Sequence, residues 1–304
     1  MLSILVLGPP KILRDDVPVE LPRRRSRALV YYLAVQPGSV GREQIMALLW
    51  PDHERLAAQQ LLRTTIYAVR KALGPALISG ENQVAIGAEV EVDVRALAAA
   101  QSSSDLATLA AALDGYRGDL LAGFSLADSE SFDEWLDTER SRMRLLVVRG
   151  LTRLSRMYEA GGNYPAALDA LSRALAFDPL QEDLQRAAMR LHYLAGDRVG
   201  AIRRYEELRN LLDTEMGVPP MAETRALYDA VVTDSLVDDR VTEWQGDTVT
   251  GWHGADDTVT GWHGDTVTGW HGDTVTGRVT PSPSHPLTES PSHRVTESPS
   301  HRVT

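Results

Sequence analysis

The stretch RLAAQQLLRTTIYAVRKAL, residues Arg55–Leu73, predicts an amphipathic helix with two distinct faces. Apolar residues recur at helical spacing along one face, and these are Ala58, Leu62, Ile66, Val69 and Leu73. The opposite face is polar and basic, with Gln60, Thr64, Tyr67 and Lys71 along its centre and Arg63 and Arg70 at its edges. Because no carboxylate interrupts this face, it suits the major groove of DNA, where it can reach base edges and phosphates. An ordinary surface helix with a solvated basic face has the same pattern, so the rest of the chain must decide between the two.

The distribution of charge along the chain favours the DNA interpretation. The formal net charge is -11, but it is unevenly divided. Residues 1–92 hold 11 basic and 9 acidic side chains, residues 93–233 hold 16 and 22, and residues 234–304 hold 4 and 11. The positive balance is therefore confined to the N-terminal part, as expected for a DNA-binding module that is followed by an acidic partner domain.

Composition excludes several classes of site. The chain of 304 residues has no cysteine, which rules out disulfides, zinc–thiolate sites and thiol catalysis. No apolar run reaches the length of a membrane span, and no secretory signal precedes the first strand, so we expect a soluble, cytoplasmic protein without membrane contact. We find no pairing of a nucleophile with a base, no phosphate loop and no metal-ligand spacing, and therefore expect no catalytic residues, no cofactor and no metal.

The segments around the amphipathic helix predict a winged helix. A small antiparallel sheet is expected within residues 2–21, a helix over residues 22–35 that begins at Pro22, and a second short helix over residues 42–50. A hairpin of residues 76–79 and 83–87 follows the third helix. Strands, three helices and a hairpin is the winged-helix order, in which the third helix enters the groove and the hairpin forms the wing. The N-terminal sheet indicates the variant found in OmpR-like response regulators.

Further arginines flank the first two helices. Arg23, Arg24 and Arg25 lie at the start of the predicted first helix, where a positive charge opposes the helix dipole. Phosphate contact explains them better than helix stability does, although a solvated cluster would also account for them. Arg42 begins the second helix, whose free backbone N–H groups can bind the same phosphate. We therefore predict phosphate contacts for these four arginines.

The rest of the chain predicts a helical domain and a disordered tail. Gly162 and Gly196 lie 34 residues apart, as do Ala167 and Ala201, which is the period of tetratricopeptide repeats. The fold class is thus mostly α, with an α+β winged helix over residues 1–92 and tetratricopeptide-like helices over residues 93–234. Residues 235–304 consist of two sets of octamer repeats rich in Pro, Ser, Thr and Gly, which predict a disordered tail that DNA binding does not need.

Motifs distributed over residues 1–233 resemble the Streptomyces antibiotic regulatory protein (SARP) family. In the N-terminal part these are Leu21-Pro22 with Arg23–Leu29, Gly41–Gln44, Leu49–Asp52, Leu62-Arg63 and Val69–Gly74. Downstream, the resemblance is to the bacterial transcriptional activation domain of that family, and its motifs are Tyr116–Leu121, Phe132–Trp135, Glu139-Arg140, Asp178–Leu180, Met189 and Glu215–Pro220. Each motif is weak by itself, but their order and spacing together are specific.

The resemblance implies a transcription activator that binds direct repeats of duplex DNA in promoters and recruits RNA polymerase. On such a repeat we expect two protomers side by side. The ATPase domain of some relatives is not expected, because the chain has no G-x-x-x-x-G-K-[ST] motif. The alternative is a tetratricopeptide-like adaptor that binds other proteins without specific DNA recognition. The division of charge favours the activator.

Overall fold

The computed structural model describes residues 1–126 and 128–236, and the predicted tail lies outside these residues apart from its first two positions. The chain begins with a four-stranded sheet in the order β3-β2-β1-β7. The strands are β1 (Leu2–Leu5), β2 (Lys11–Arg14), β3 (Val17–Pro18) and β7 (Glu91–Val92). The first three pair antiparallel, with Leu2 opposite Arg14, whereas β7 returns to lie parallel to β1.

Three helices and a second sheet follow the N-terminal hairpins. The helices are α1 (Arg24–Val35), α2 (Arg42–Leu49) and α3 (Arg55–Leu73). The sheet has the order β4-β6-β5, and its strands are β4 (Val40–Gly41), β5 (Leu77–Ser79) and β6 (Gln83–Ile86). This is the winged-helix arrangement expected from the sequence, with β5 and β6 as the wing.

Three local features differ from the sequence-based expectation. Pro22 does not begin α1, because Leu21 is buried and the chain stays extended through Arg23, which is the residue before the helix. The N-terminal sheet is not purely antiparallel, since β7 adds a parallel strand. The wing has a third strand, β4, in which Val40 pairs with Val84. Two-residue strands have no periodicity, so the sequence does not reveal them.

The remaining described residues form seven further helices. They are α4 (Asp93–Ala100), α5 (Leu106–Asp114), α6 (Glu130–Ala160), α7 (Tyr164–Leu175), α8 (Glu182–Leu194), α9 (Arg198–Met216) and α10 (Ala222–Thr233). The expected fold class, a small α+β region followed by helices, is confirmed for the described residues.

The 34-residue repeat corresponds to a repeated helix–turn–helix unit. Gly162 and Gly196 both follow the end of a helix and adopt left-handed φ angles of 73° and 80°, which glycine reaches without steric strain. Ala167 and Ala201, five residues later in each unit, are completely buried. Their small side chains let the paired helices approach closely, so the two units repeat the same helix–turn–helix geometry.

The winged helix and the helices after it share one core. Tyr31 and Tyr32 of α1 project toward aromatic residues of the later segment, with ring centroids 5.2 Å from Phe124 and 4.9 Å from Trp135. Phe132, which is fully buried, lies 5.2 Å from Trp135. The expected boundary near residue 92 coincides with the junction of β7 and α4, but the apolar contacts continue across it.

Candidate nucleic-acid interface

The polar face of α3 is exposed along its whole length. The buried residues of this helix include all five positions of the predicted apolar stripe. Gln60, Arg63, Thr64, Arg70 and Lys71 are all exposed. Tyr67, between them, is 72% exposed. The structure therefore brings the six predicted groove residues together on one solvent-facing surface, which we call the α3 face.

The cations of the α3 face have no partner among the described residues. The side chains of Arg63, Arg70 and Lys71 make no hydrogen bond or ion pair with the rest of residues 1–126 and 128–236. Thr64 donates its hydroxyl hydrogen to the Gln60 carbonyl at 3.0 Å, which leaves its oxygen free to accept. These groups are thus available to an external ligand without the loss of an internal contact.

The position of α3 is fixed at both ends. At its start, Arg55 forms an ion pair with Glu43 of α2. Trp50, in the turn between α2 and α3, is 2% exposed and anchors this turn in the core. At the other end, Arg14 of β2 donates to the Ala72 carbonyl at 3.0 Å and satisfies one of the free carbonyls at the helix C-terminus. The role of Arg14 could not be inferred from sequence spacing.

Arg42 connects α2 to the wing. Its guanidinium Nη2 donates to the Ser79 hydroxyl at 2.9 Å and to the Gly80 carbonyl at 3.0 Å. Its backbone N–H, which was expected to be open to a phosphate, donates to the Asn82 carbonyl at 2.9 Å. Arg42 therefore holds the turn of the wing against the start of α2.

The arginines at the start of α1 point in different directions. Arg23 is exposed, and its side chain has no partner among the described residues. Arg24 donates to the Ser125 carbonyl at 2.6 Å and lies 5.3 Å from the centre of the Phe124 ring. Arg25 lies 5.9 Å from the Trp50 ring. Of the three predicted phosphate ligands at the start of α1, two thus have cation–π contacts within the protein, which sequence reasoning missed.

Two partly buried ionisable side chains at the start of α4 hold the sheet and the wing in place. The Asp93 carboxylate accepts hydrogen bonds from the backbone N–H groups of Val6 and Leu7 at 2.9 Å. Burial raises the pKa of Asp93, although these bonds and the nearby Arg117 oppose the shift. Arg95 donates to the Gln36 carbonyl after α1 and to the Gly87 carbonyl after β6, both at 3.4 Å. Burial also lowers the pKa of Arg95.

Neither a metal site nor a membrane helix occurs in the part of the chain that the structure describes. Among residues 1–126 and 128–236, no three His, Cys, Asp or Glu side chains are grouped as metal ligands. No helix in the same ranges is long and apolar enough to cross a bilayer.

Residues 84–232 match the family model of the bacterial transcriptional activator domain (BTAD). The chain is also 26% identical to the transcriptional regulatory protein MoaR1 of Mycobacterium tuberculosis, over 78% of this chain and 81% of MoaR1. It is 28% identical to the regulatory protein AfsR of Streptomyces coelicolor, over 75% of this chain.

These similarities support a transcriptional regulator of the SARP family. The BTAD match begins within β6 and ends within α10, so it includes part of the wing. The chain spans 24% of the length of AfsR, and the similarity to AfsR concerns that part.

A solved structure shares the fold of this chain. It is that of Mycobacterium tuberculosis EmbR in complex with a low-affinity phosphopeptide. The TM-score is 0.61 at 21% sequence identity, over 78% of this chain and 66% of EmbR. The similarity concerns the fold, in which a winged helix precedes tetratricopeptide-like helices.

Proposed function

We propose that this regulator is a sequence-specific DNA-binding activator that binds direct repeats in promoters and recruits RNA polymerase. The observation that carries the proposal is the α3 face, on which Arg63, Arg70 and Lys71 are exposed and unpaired beside Gln60 and Thr64. These side chains supply the donors that read guanine and adenine in the major groove and that grip phosphates. The acidic residues 93–304 would repel DNA, so contact is confined to the winged helix.

The proposed phosphate ligands fall into two groups. Arg23 is exposed and unpaired, and we assign it a direct phosphate contact. Arg24, Arg25 and Arg42 have partners within the protein. We assign these three to positioning: Arg24 and Arg25 orient the start of α1, and Arg42 fixes the wing. Loss of one of these three arginines should weaken DNA binding, because the element that it holds in place is displaced.

The proposed arrangement on DNA is two protomers side by side on a direct repeat. A helix-turn-helix module that binds in tandem places its half-sites about 10–10.5 bp, or one helical turn, apart. The tetratricopeptide-like helices α6–α9 then present a protein-binding surface to RNA polymerase. A footprint with two-fold symmetry would contradict the tandem arrangement, and promoter binding without activation of purified RNA polymerase would contradict recruitment.

The full-length chain is expected to bind duplex DNA with strong salt dependence. The logarithm of the affinity should fall by about 0.9 for each phosphate neutralised per decade of salt concentration. Fluorescence anisotropy with a labelled promoter fragment, at several salt concentrations, measures this slope. Salt-independent binding, or no binding to any duplex selected from a random pool, would favour the protein-binding adaptor instead.

Replacement of Lys71 or Arg63 by Ala tests the α3 face directly. A residue that contacts a base should lower affinity by about 1–3 kcal/mol and relax the preference at one position of the site. The matched control is Arg149→Ala, because Arg149 is an exposed, unpaired arginine on α6. Binding competitions with a pool of operator variants provide the measurement. Equal losses for Lys71→Ala and Arg149→Ala would contradict the assignment of this face.

A further inference from the structure

Leu56 is an apolar side chain on an otherwise polar surface. It lies in the first turn of α3. Leu56 is 80% exposed, more than any other large hydrophobic residue among residues 1–126 and 128–236. A ligand that covers apolar surface of this kind removes it from water, which favours binding.

Leu56 extends the α3 face by one turn toward the helix N-terminus. It precedes Gln60 by four residues and Thr64 by eight, so the three side chains lie along one line of the helix. Its neighbour Arg55 is turned toward Glu43 of α2 by their ion pair. Leu56 is thus the first side chain that this line of the helix presents to a ligand.

The chemistry of the major groove offers a specific partner for such a side chain. In helix-turn-helix proteins the N-terminal residues of the recognition helix contact base edges. Thymine places an apolar C5 methyl group in the major groove, whereas cytosine places an amino donor there that a leucine would leave unpaired. Gln60, one turn later, has the amide that pairs with the N6 and N7 positions of adenine.

We propose that Leu56 is a specificity-determining residue that recognises a thymine methyl group, and that Gln60 reads an adjacent adenine. The half-site would then contain A·T pairs opposite the first two turns of α3. Contacts of Arg63 and Lys71 with guanine would lie further along the groove. This inference rests on the proposed DNA binding and adds to it the chemical identity of the bases at two positions.

The test uses the full-length chain and duplexes that it selects from a random pool. Each thymine of the selected site is replaced in turn by deoxyuracil, which removes one methyl group and preserves base pairing. For the wild-type chain, at least one replacement in each half-site is expected to weaken binding about fourfold, the effect of one lost apolar carbon. For Leu56→Ala the same replacement should have no effect.

Val199→Ala is the matched control. Val199 is 67% exposed on α9, outside the proposed DNA interface, so this variant should retain the full sensitivity to deoxyuracil in the binding assay. Because Leu56 is exposed, Leu56→Ala should melt at the temperature of the wild-type chain, which circular dichroism verifies. A wild-type chain insensitive to every deoxyuracil replacement, or a Leu56→Ala variant as sensitive as wild type, would overturn the proposal for Leu56 and leave DNA binding intact.

Two further outcomes separate the alternatives. If Leu56→Ala binds DNA with unchanged affinity and base preference but no longer activates transcription with purified RNA polymerase, a protein covers Leu56 and the thymine assignment is wrong. If the wild-type chain binds no duplex at any salt concentration, the proposed function fails and this inference fails with it.

Discussion

We expect Phe132→Ala to lower the free energy of unfolding by about 3–5 kcal/mol. The loss should affect the winged helix and the helical region together. Phe132 is fully buried near the start of α6, and its ring lies 6.0 Å from that of Phe124 and 5.2 Å from that of Trp135. Those two rings in turn contact Tyr31 and Tyr32 of α1. A cavity at Phe132 therefore weakens the contact that joins the two parts.

Amide hydrogen exchange on the full-length chain distinguishes joint from local unfolding. The most protected amides of α3 and of α6 should lose protection by the same factor in Phe132→Ala. Phe132→Leu, which retains most of the apolar volume, should show a smaller loss with the same distribution. Loss of protection in α6 with an unchanged α3 would show that the two parts unfold independently.

The shared core also limits which fragments can be used to study DNA binding. A fragment that ends at residue 92 would expose Tyr31 and Tyr32, which are 4% and 2% exposed in the whole structure. It would also lose Arg95, whose hydrogen bonds tie the end of α1 to the wing. A fragment used to study DNA binding should therefore extend at least into α6, so that Phe124 and Trp135 still cover these two rings.

The sequence predicts those parts of the structure that depend on periodicity. The stripe from Ala58 to Leu73 is buried as expected, because a 3.6-residue period determines which side of a helix faces the core. The long helix α6 begins after Ser129, whose side chain caps it, and ends before Gly161, and both residue types are typical of helix ends. Gly162 and Gly196 identify the repeat because a left-handed turn at fixed intervals requires glycine.

Contacts between residues distant in sequence could not be predicted in this way. Arg24 binds Ser125, which lies 101 positions away, and Arg42 binds the wing through Ser79. Both arginines occur in stretches whose local pattern also fits phosphate binding. A local sequence pattern shows that cations are present, but it does not show which of them have a partner elsewhere in the fold. The exposure of the α3 face was therefore easier to predict than the contacts of the arginines around it.

Asp93→Ala is expected to separate the N-terminal sheet from α4. The carboxylate accepts from the backbone N–H groups of Val6, Leu7 and Val94, each at 2.9 Å, and its side chain is 9% exposed. Without it, the N–H groups of Val6 and Leu7 remain buried without an acceptor, at a loss of about 1–3 kcal/mol each. Urea unfolding followed by circular dichroism measures this loss, and a variant as stable as the wild-type chain would contradict it.

The pH dependence at this position has a definite sign, which Asp93→Asn reveals. Because burial raises the pKa of Asp93, the folded chain keeps this proton at pH values where the unfolded chain, with an ordinary pKa of about 3.9, has lost it. The contribution of the group to stability is therefore complete below that value and is lost as the pH rises through the raised pKa.

Asn cannot ionise, so the free energy of unfolding of the wild-type chain minus that of the variant should decrease from pH 4 upward and then become constant. A difference that increases with pH would mean that the three N–H donors and Arg117, which lies 3.6 Å away, outweigh burial and stabilise the charged carboxylate.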